Sequence, residues 1–267
     1  MTRGGKIRIS LVEYLNSVPL GWAFLTDPFQ ERFQVIPSTP ARCAEQLARG
    51  QVEIGLIPSI EFQRIPHLQI IPNVAIGSQS RVKSVVLVFH RGRQIRSIAV
   101  DSSSRTSVVL ADILLKDRMG LNPDMVSHAP NLKEMLKKHD GALIIGDAAL
   151  QASREEYEVV DLAETWIQWQ RLPFVFAFWA CRMNSDLPGD LSEIFRRAKD
   201  LGLAARGAIA AKFSRELRLS EPFLMDYLTR CIDYDFGDRH IEGLQRFYEL
   251  AAKRGYLKKV GPLSFVS

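Results

Sequence analysis

The chain lacks most of the residue patterns that announce a special chemistry. It has three cysteines in 267 residues. Cys43, Cys181 and Cys231 are far apart and odd in number, and no CxxC or Cys/His metal spacing occurs. This argues against a disulfide framework and against a zinc site. The five histidines are scattered, without HExxH. GxGxxG and the P-loop are missing, so no nucleotide signature exists. GxSxG is missing as well, and no Ser/His/Asp order stands out. Nothing in the sequence suggests a metal or an organic cofactor.

Charge of one sign is also scarce. Lys and Arg number 35 against 30 acidic residues, a net charge of +5, with no basic run long enough for a nucleic-acid arm. Nucleic-acid partners are therefore not expected, whereas small acidic ligands remain compatible. The longest apolar run, LPFVFAFWAC at 172–181, is about half of what a membrane-spanning helix needs. The first residues, MTRGGKIRISLVEYLN, run straight into a strand-like segment and contain no secretory apolar region. A cytoplasmic protein without a membrane partner is the expectation.

What is present belongs to a globular α/β protein. A hydrophobic fraction of 46% with 24% charge supports a real core, and the length suits one large domain or two lobes. Strand patterns at 6–12, 33–36, 52–57, 69–74, 84–89, 95–100, 141–145 and 174–180 alternate with helix patterns at 17–26, 40–49, 105–119, 131–139 and 162–170. Such alternation predicts mostly parallel sheets. Residues 189–230 and 238–255 read as almost wholly helical, with GDLSEIFRRAKDLGL as a capped example. There is no internal repeat and no low-complexity linker. Segments 84–95 and 173–182 look like crossovers between two lobes, which leaves a cleft where the carboxyl ends of strands would bind a ligand.

The most informative stretch is IRSIAVDSSSRTSVVL, 95–110. It reads as a buried strand, a hydroxyl-rich turn and the start of a helix. A helix N-terminus leaves about four N–H groups unpaired and carries partial positive charge, a natural seat for a carboxylate or phosphate. One serine there would be an ordinary cap. Ser102, Ser103, Ser104, Arg105, Thr106 and Ser107 together favour an anion site.

Other strand ends are weaker signals. Asn16 and Ser17 follow the first strand, where a simple cap is the plainer reading, and Tyr14 beside them reads equally as core. Ser59 and Glu61 follow the strand VEIGLI and read as a surface turn. Ser84 gains interest if its segment is a hinge. Gly146 and Asp147 follow the strand LII; Gly146 permits unusual backbone angles or close ligand approach, and Asp147 reads most safely as an N-cap. Of the aromatics Trp166, Trp169, Phe174, Phe176, Phe178 and Trp179, one or two could wall a pocket for a flat ligand.

Taken together, YLNSVPL (14–20), VEIGLIPSIEF (52–62), VKSVVLV (82–88), SSRTSVVLADILL (103–115), LIIGDAAL (143–150) and LPFVFAFWACR (172–182) resemble the futalosine-pathway enzymes of menaquinone biosynthesis, specifically the chorismate dehydratases. IDYDFG (232–237) is a weaker match. The resemblance implies an α/β fold of the periplasmic-binding-protein type II, two lobes around a ligand cleft with a helical C-terminal segment. It places 1–91 and 179–267 in the first lobe and 92–178 in an inserted second lobe.

The implied reaction removes water from chorismate to give 3-[(1-carboxyvinyl)oxy]benzoate. The proton leaves ring carbon 3 and the hydroxyl leaves carbon 4, making the ring aromatic, so fixed positioning of both carboxylates could supply much of the acceleration. By the same resemblance Asn16 and Ser84 match the family's catalytic polar pair, orienting the leaving hydroxyl or stabilising charge. Serine is a poor base unaided, which leaves the substrate's enolpyruvyl carboxylate as a candidate proton acceptor. Ser104, Arg105, Thr106 and Ser107 match the anion-binding turn, with Arg105 alternatively paired to an acidic residue. Gly146 and Asp147 shape the cleft from the second lobe. A sister enzyme making 1,4-dihydroxy-6-naphthoate carries a catalytic His in the region matching LIIGDAAL, and this chain has none there. The expected partner is thus a small molecule, bound by a monomer or homodimer. A non-catalytic binding protein for a small aromatic or cyclic carboxylate is the alternative from another class.

Overall fold

A computed structural model of the chain describes residues 5–26, 29–183 and 185–267. Ten strands form two five-stranded sheets. The first contains β1 (Ile7–Val12), β2 (Phe33–Ser38), β3 (Ile54–Pro58), β4 (Leu68–Ser78) and β10 (Phe174–Arg182), in the order β2-β1-β3-β10-β4. The second contains β5 (Val85–Phe89), β6 (Ser97–Asp101), β7 (Asp124–His128), β8 (Gly141–Ile145) and β9 (Glu158–Asp161), in the order β7-β6-β8-β5-β9.

Both sheets are mixed. In the first, β1 pairs parallel with β2 and β3, whereas β10 runs antiparallel to β3 and β4. In the second, β6 pairs parallel with β7 and β8, whereas β5 runs antiparallel to β8 and β9. The reversed strands β5 and β10 each open a passage from one sheet into the other. The chain therefore changes sheets at 79–84 and again at 171–173, ahead of the 91/92 and 178/179 boundaries expected from sequence. The physical reason is that a strand pairs where it lands: β5 and the start of β10 already belong to the sheet they enter.

Buried strands with apolar side chains on both faces need cover on both sides. In the second sheet, Val85, Leu87 and Phe89 join the main core, while Val86, Val88, Ala142 and Ile144 alternate into a smaller cluster with Met135 and Leu136 of a helix, Leu132–Lys138. The C-terminal helices pack chiefly against the first sheet. Helix Leu191–Ala204 lies against helix Val18–Leu25 so closely that a Cβ on Gly202 would sit 1.7 Å from the Pro19 carbonyl oxygen. Asp190 precedes that helix without a side-chain cap bond, because the turn is closed by the Leu191 N–H donating to the Pro188 carbonyl. The three cysteines are buried free thiols. No helix among the described residues is long and apolar enough to cross a membrane.

Candidate active site

The carboxyl ends of parallel strands from the two sheets face each other. Val12 ends β1 and Pro58 ends β3; Pro58 pairs with Ala177, which also pairs with Ile76. Opposite them, Ile145 ends β8 and pairs with Val85. These residues line a pocket completed by Tyr14, Asn16, Pro40, Phe176, Gly146 and the turn Ser104–Ser107. The cleft inferred from the alternating pattern is thus built from both sheets.

The hydroxyl-rich turn sits at the start of helix Thr106–Ile113, which continues as a π turn over Leu114–Arg118. Its four predicted residues divide by role. Ser104 and Ser107 are buried against the cavity, and among the described residues neither hydroxyl has a hydrogen-bond partner. Thr106 is already engaged: its Oγ1 accepts the Ile60 N–H at 3.2 Å and lies 3.4 Å from Ser59 Oγ. Arg105 turns outward to Glu45 at 3.5 Å and to the Ser102 carbonyl, the structural pairing foreseen as its alternative. The first-turn N–H groups, unpaired within a helix, and two free hydroxyls thus meet the cavity together.

The turn is fixed from behind. Asp101, at the end of β6, accepts the Ser103 N–H at 2.8 Å and the Ser103 hydroxyl at 2.6 Å. Burial pushes the Asp101 carboxyl above its ordinary range. Ser103 Oγ lies 3.2 Å from the Tyr14 hydroxyl, and the Ser103 carbonyl accepts the Ala41 N–H at 3.1 Å. Burial raises the Tyr14 hydroxyl to about 12, so the phenol stays neutral at physiological pH.

Asn16 lies in a 3₁₀ turn, Leu15–Ser17, held by the Ser17 hydroxyl on the Val12 and Tyr14 carbonyls. Ser17 therefore ties the turn and does not cap the helix after it. Asn16 is 9% exposed, and its Oδ1 is buried without a donor. Beside helix N–H groups that only donate and hydroxyls that donate or accept, this is an acceptor unanswered among the described residues.

Ser84 and Asp147 lie outside the cavity lining. The Ser84 hydroxyl is fully buried beside the Tyr227 hydroxyl, while its carbonyl accepts the Gly146 N–H at 2.8 Å. Asp147 is the first residue of helix Asp147–Leu150, capped by Gly146, and not an N-cap itself. Its Oδ1 accepts the Leu15 N–H at 2.9 Å, so the carboxylate reaches across to the first lobe and not into the cavity. Among the described residues no group of three His, Cys, Asp or Glu could hold a metal ion.

Comparison with known proteins decides the family. A family model described as menaquinone biosynthesis matches residues 7–253. The chain belongs to that family. The chorismate dehydratase of Thermus thermophilus is 32% identical over 261 residues, covering 90% of this chain and 93% of the relative. That of Campylobacter jejuni is 25% identical over 241 residues, covering 88% and 93%. Among solved structures, a protein from Archaeoglobus fulgidus superposes with a TM-score of 0.78 at 16% identity, covering 96% of this chain and all of that one. An alkanesulfonate-binding protein from Xanthomonas axonopodis superposes at 0.70 with 13% identity, covering 95% and 94%. These likenesses fix the fold as the two-lobed periplasmic-binding-protein type.

Within this menaquinone-biosynthesis family member, several cavity-lining positions gave little or no signal in the sequence. Tyr14 lines the cavity, and its signal was adjacency to Asn16. Of the six aromatics at 166–179, Phe176 walls the site and the others are core or periphery. Pro40, Ile76, Val85 and Ile145 give no polar signal at all. Ser59 and Glu61 stay outside the lining: Ser59 Oγ donates to the Val175 carbonyl at 2.8 Å, and Glu61 pairs with Arg64.

Proposed function

We propose that this chain is a chorismate dehydratase of menaquinone biosynthesis, a hydro-lyase converting chorismate to 3-[(1-carboxyvinyl)oxy]benzoate. It acts in the cytoplasm as a monomer or homodimer and binds its small-molecule substrate without a metal or organic cofactor. Membership of the family and the names of its relatives support the reaction. The carrying observation is a cavity lined both by a hydroxyl-bearing helix start and by Asn16, whose buried side-chain oxygen has no donor among the described residues. Chorismate offers both complements, carboxylates for the donors and one alcohol for the acceptor.

In this reading Ser104, Ser107 and the helix N–H groups hold a carboxylate. Asn16 Oδ1 accepts the hydrogen bond of the leaving hydroxyl on carbon 4. The C3–H electrons form the new ring double bond as the C4–O bond breaks, and the proton taken from C3 by the enolpyruvyl carboxylate passes to the departing hydroxide, which leaves as water. The two ionisable lining residues, Tyr14 and Arg105, are a neutral phenol and a fixed cation. Neither is a base, so the enolpyruvyl carboxylate takes the proton and the protein supplies geometry. Ser84, in this reading Asn16's partner, lies buried outside the lining, beside the Tyr227 hydroxyl.

The test mixes purified protein with chorismate and no added cofactor, and follows products by chromatography and mass. Formation of a species lighter by one water at many equivalents per protein supports the proposal. Asn16→Ala should keep the fold and lose at least 100-fold in turnover. Binding without turnover would replace the proposal with a carboxylate-binding protein on the same scaffold.

A further inference from the structure

Asn16 needs a fixed position, yet its own side chain is unpaired and its turn is short. Two contacts reach that turn from the second lobe, and a third ties them to Ser84. The Asp147 Oδ1 accepts the Leu15 N–H at 2.9 Å. Gly146, at φ +65° and ψ −146°, lies against the Tyr14 ring, so that a Cβ there would sit 2.7 Å from ring atoms. The Gly146 N–H in turn donates to the Ser84 carbonyl at 2.8 Å. A covalent dipeptide thus joins the hinge residue Ser84 on one side to the Asn16 turn on the other.

We infer that Asp147 is a positioning residue: an inter-lobe latch whose carboxylate fixes the Leu15–Ser17 turn, and with it Asn16, when the lobes close. The Leu15 amide belongs to the first sheet's side and Asp147 to the second, so the bond spans the two lobes. The carboxylate does not line the cavity, which separates this role from substrate binding. The chemistry of the contact explains the residue type. The first N–H of a 3₁₀ turn has no partner inside the turn, and an oxygen acceptor reaching from the opposite lobe satisfies it. An ionised acceptor strengthens such a bond. Placement of Asn16 deepens the dehydratase reading and rests on it, whereas the latch itself does not.

The experiment compares wild type, Asp147→Ala, Asp147→Asn and Asp147→Leu. Two readouts need no substrate: hydrogen exchange at the Leu15 amide, and the side-chain amide resonance of Asn16, assigned by its loss in Asn16→Ala. Exchange at Leu15 should be at least tenfold faster in Asp147→Ala and in Asp147→Leu, which fills the same volume and accepts nothing. The Asn16 resonance should move in both. Asp147→Asn, which keeps an acceptor at the same distance, should restore exchange to within about threefold and return the resonance. With chorismate, kcat should fall at least tenfold in the Ala and Leu variants, by more than KM rises, and recover in Asn. Unchanged Leu15 exchange in the folded Ala or Leu variant overturns the latch. Faster exchange with an unmoved Asn16 resonance overturns the positioning role. A wild type that does not turn over chorismate removes the dehydratase reading, while exchange and resonance still decide the inference.

Discussion

The Asp161 carboxylate accepts the Lys83 backbone N–H at 2.7 Å, one residue before Ser84. Its other oxygen accepts the N–H groups of Val82 and Glu164, both at 3.1 Å. Lys83 sits at φ +59°, a strained backbone that needs such support. One buried side chain therefore fixes the first passage between sheets and caps helix Leu162–Gln170, which leads to the second.

Removing that carboxylate should destabilise the fold and disturb the hinge together. Asp161→Ala leaves three N–H groups without an acceptor, two of them beside Ser84. The Val82 N–H is buried and those of Lys83 and Glu164 partly so; a buried orphan costs about 1–3 kcal/mol, so a loss of roughly 2 kcal/mol or more is expected in urea unfolding. Asp161→Asn, with one acceptor oxygen, should lose less than Ala. Equal losses in the two variants would show that the carboxylate is not what holds the hinge.

Gly146→Ala should be costly for two separable reasons. Its backbone angles, φ +65° and ψ −146°, lie in a region close to glycine-only, worth about 1–3 kcal/mol. The added methyl would also meet the Tyr14 ring. Unfolding of wild type, Gly146→Ala, Tyr14→Ala and the double variant separates them. The double variant should be more stable than the sum of single losses predicts, by about 1 kcal/mol or more. Strict additivity would mean the ring is not what the methyl meets.

Most of the fold was legible because its strands are short apolar runs closed by polar or glycine residues. Eight strand segments read from the sequence are strands here. The two that escaped, β7 and β9, are sheet edges, half-exposed sequences such as DMVSH without an apolar run. Parallel against antiparallel pairing was not legible, since β5 and β10 look locally like their neighbours and are reversed by where the chain crosses. In the site, the turn at 104–107 showed itself through composition. The division of its hydroxyls did not, because Thr106 is engaged by Ile60, a partner 46 residues away. Asp147 was visible as a polar residue after a strand, but its target depends on how the two sheets face each other.

That division makes a contrast testable by paired substitutions. Ser104→Ala and Ser107→Ala remove hydroxyls with no partner among the described residues, so stability should change by less than about 0.5 kcal/mol. Substrate affinity should fall by about 1 kcal/mol each, roughly fivefold in KM or Kd. Thr106→Val removes the acceptor of the Ile60 N–H and should do the reverse, costing about 1–2 kcal/mol of stability with a smaller effect on affinity. Calorimetry and steady-state kinetics on the three variants decide it. Equal stability losses in all three would reject the division.

The Asp147 carboxyl should leave a mark on stability against pH. Burial raises it from the ordinary aspartate value of 3.8 to about 6, the Leu15 N–H opposing and Glu216 adding to the rise. It also raises the neighbouring hydroxyls of Tyr14 and Tyr227, which stay protonated throughout this range. A carboxyl with a raised folded value binds more protons in the folded state, so stability falls as pH climbs from about 4 through about 6. A shift of this size corresponds to at most about 3 kcal/mol. Asp147→Asn removes this loss, and the Tyr14 and Tyr227 hydroxyls that feel its charge stay protonated across the range. The variant should therefore gain on wild type between pH 4 and pH 7, measured as the difference of their urea midpoints at each pH. A difference that stays flat would mean that Asp147 titrates near its ordinary value and that its burial is relieved by solvent, which would also weaken its hold on the Leu15 amide.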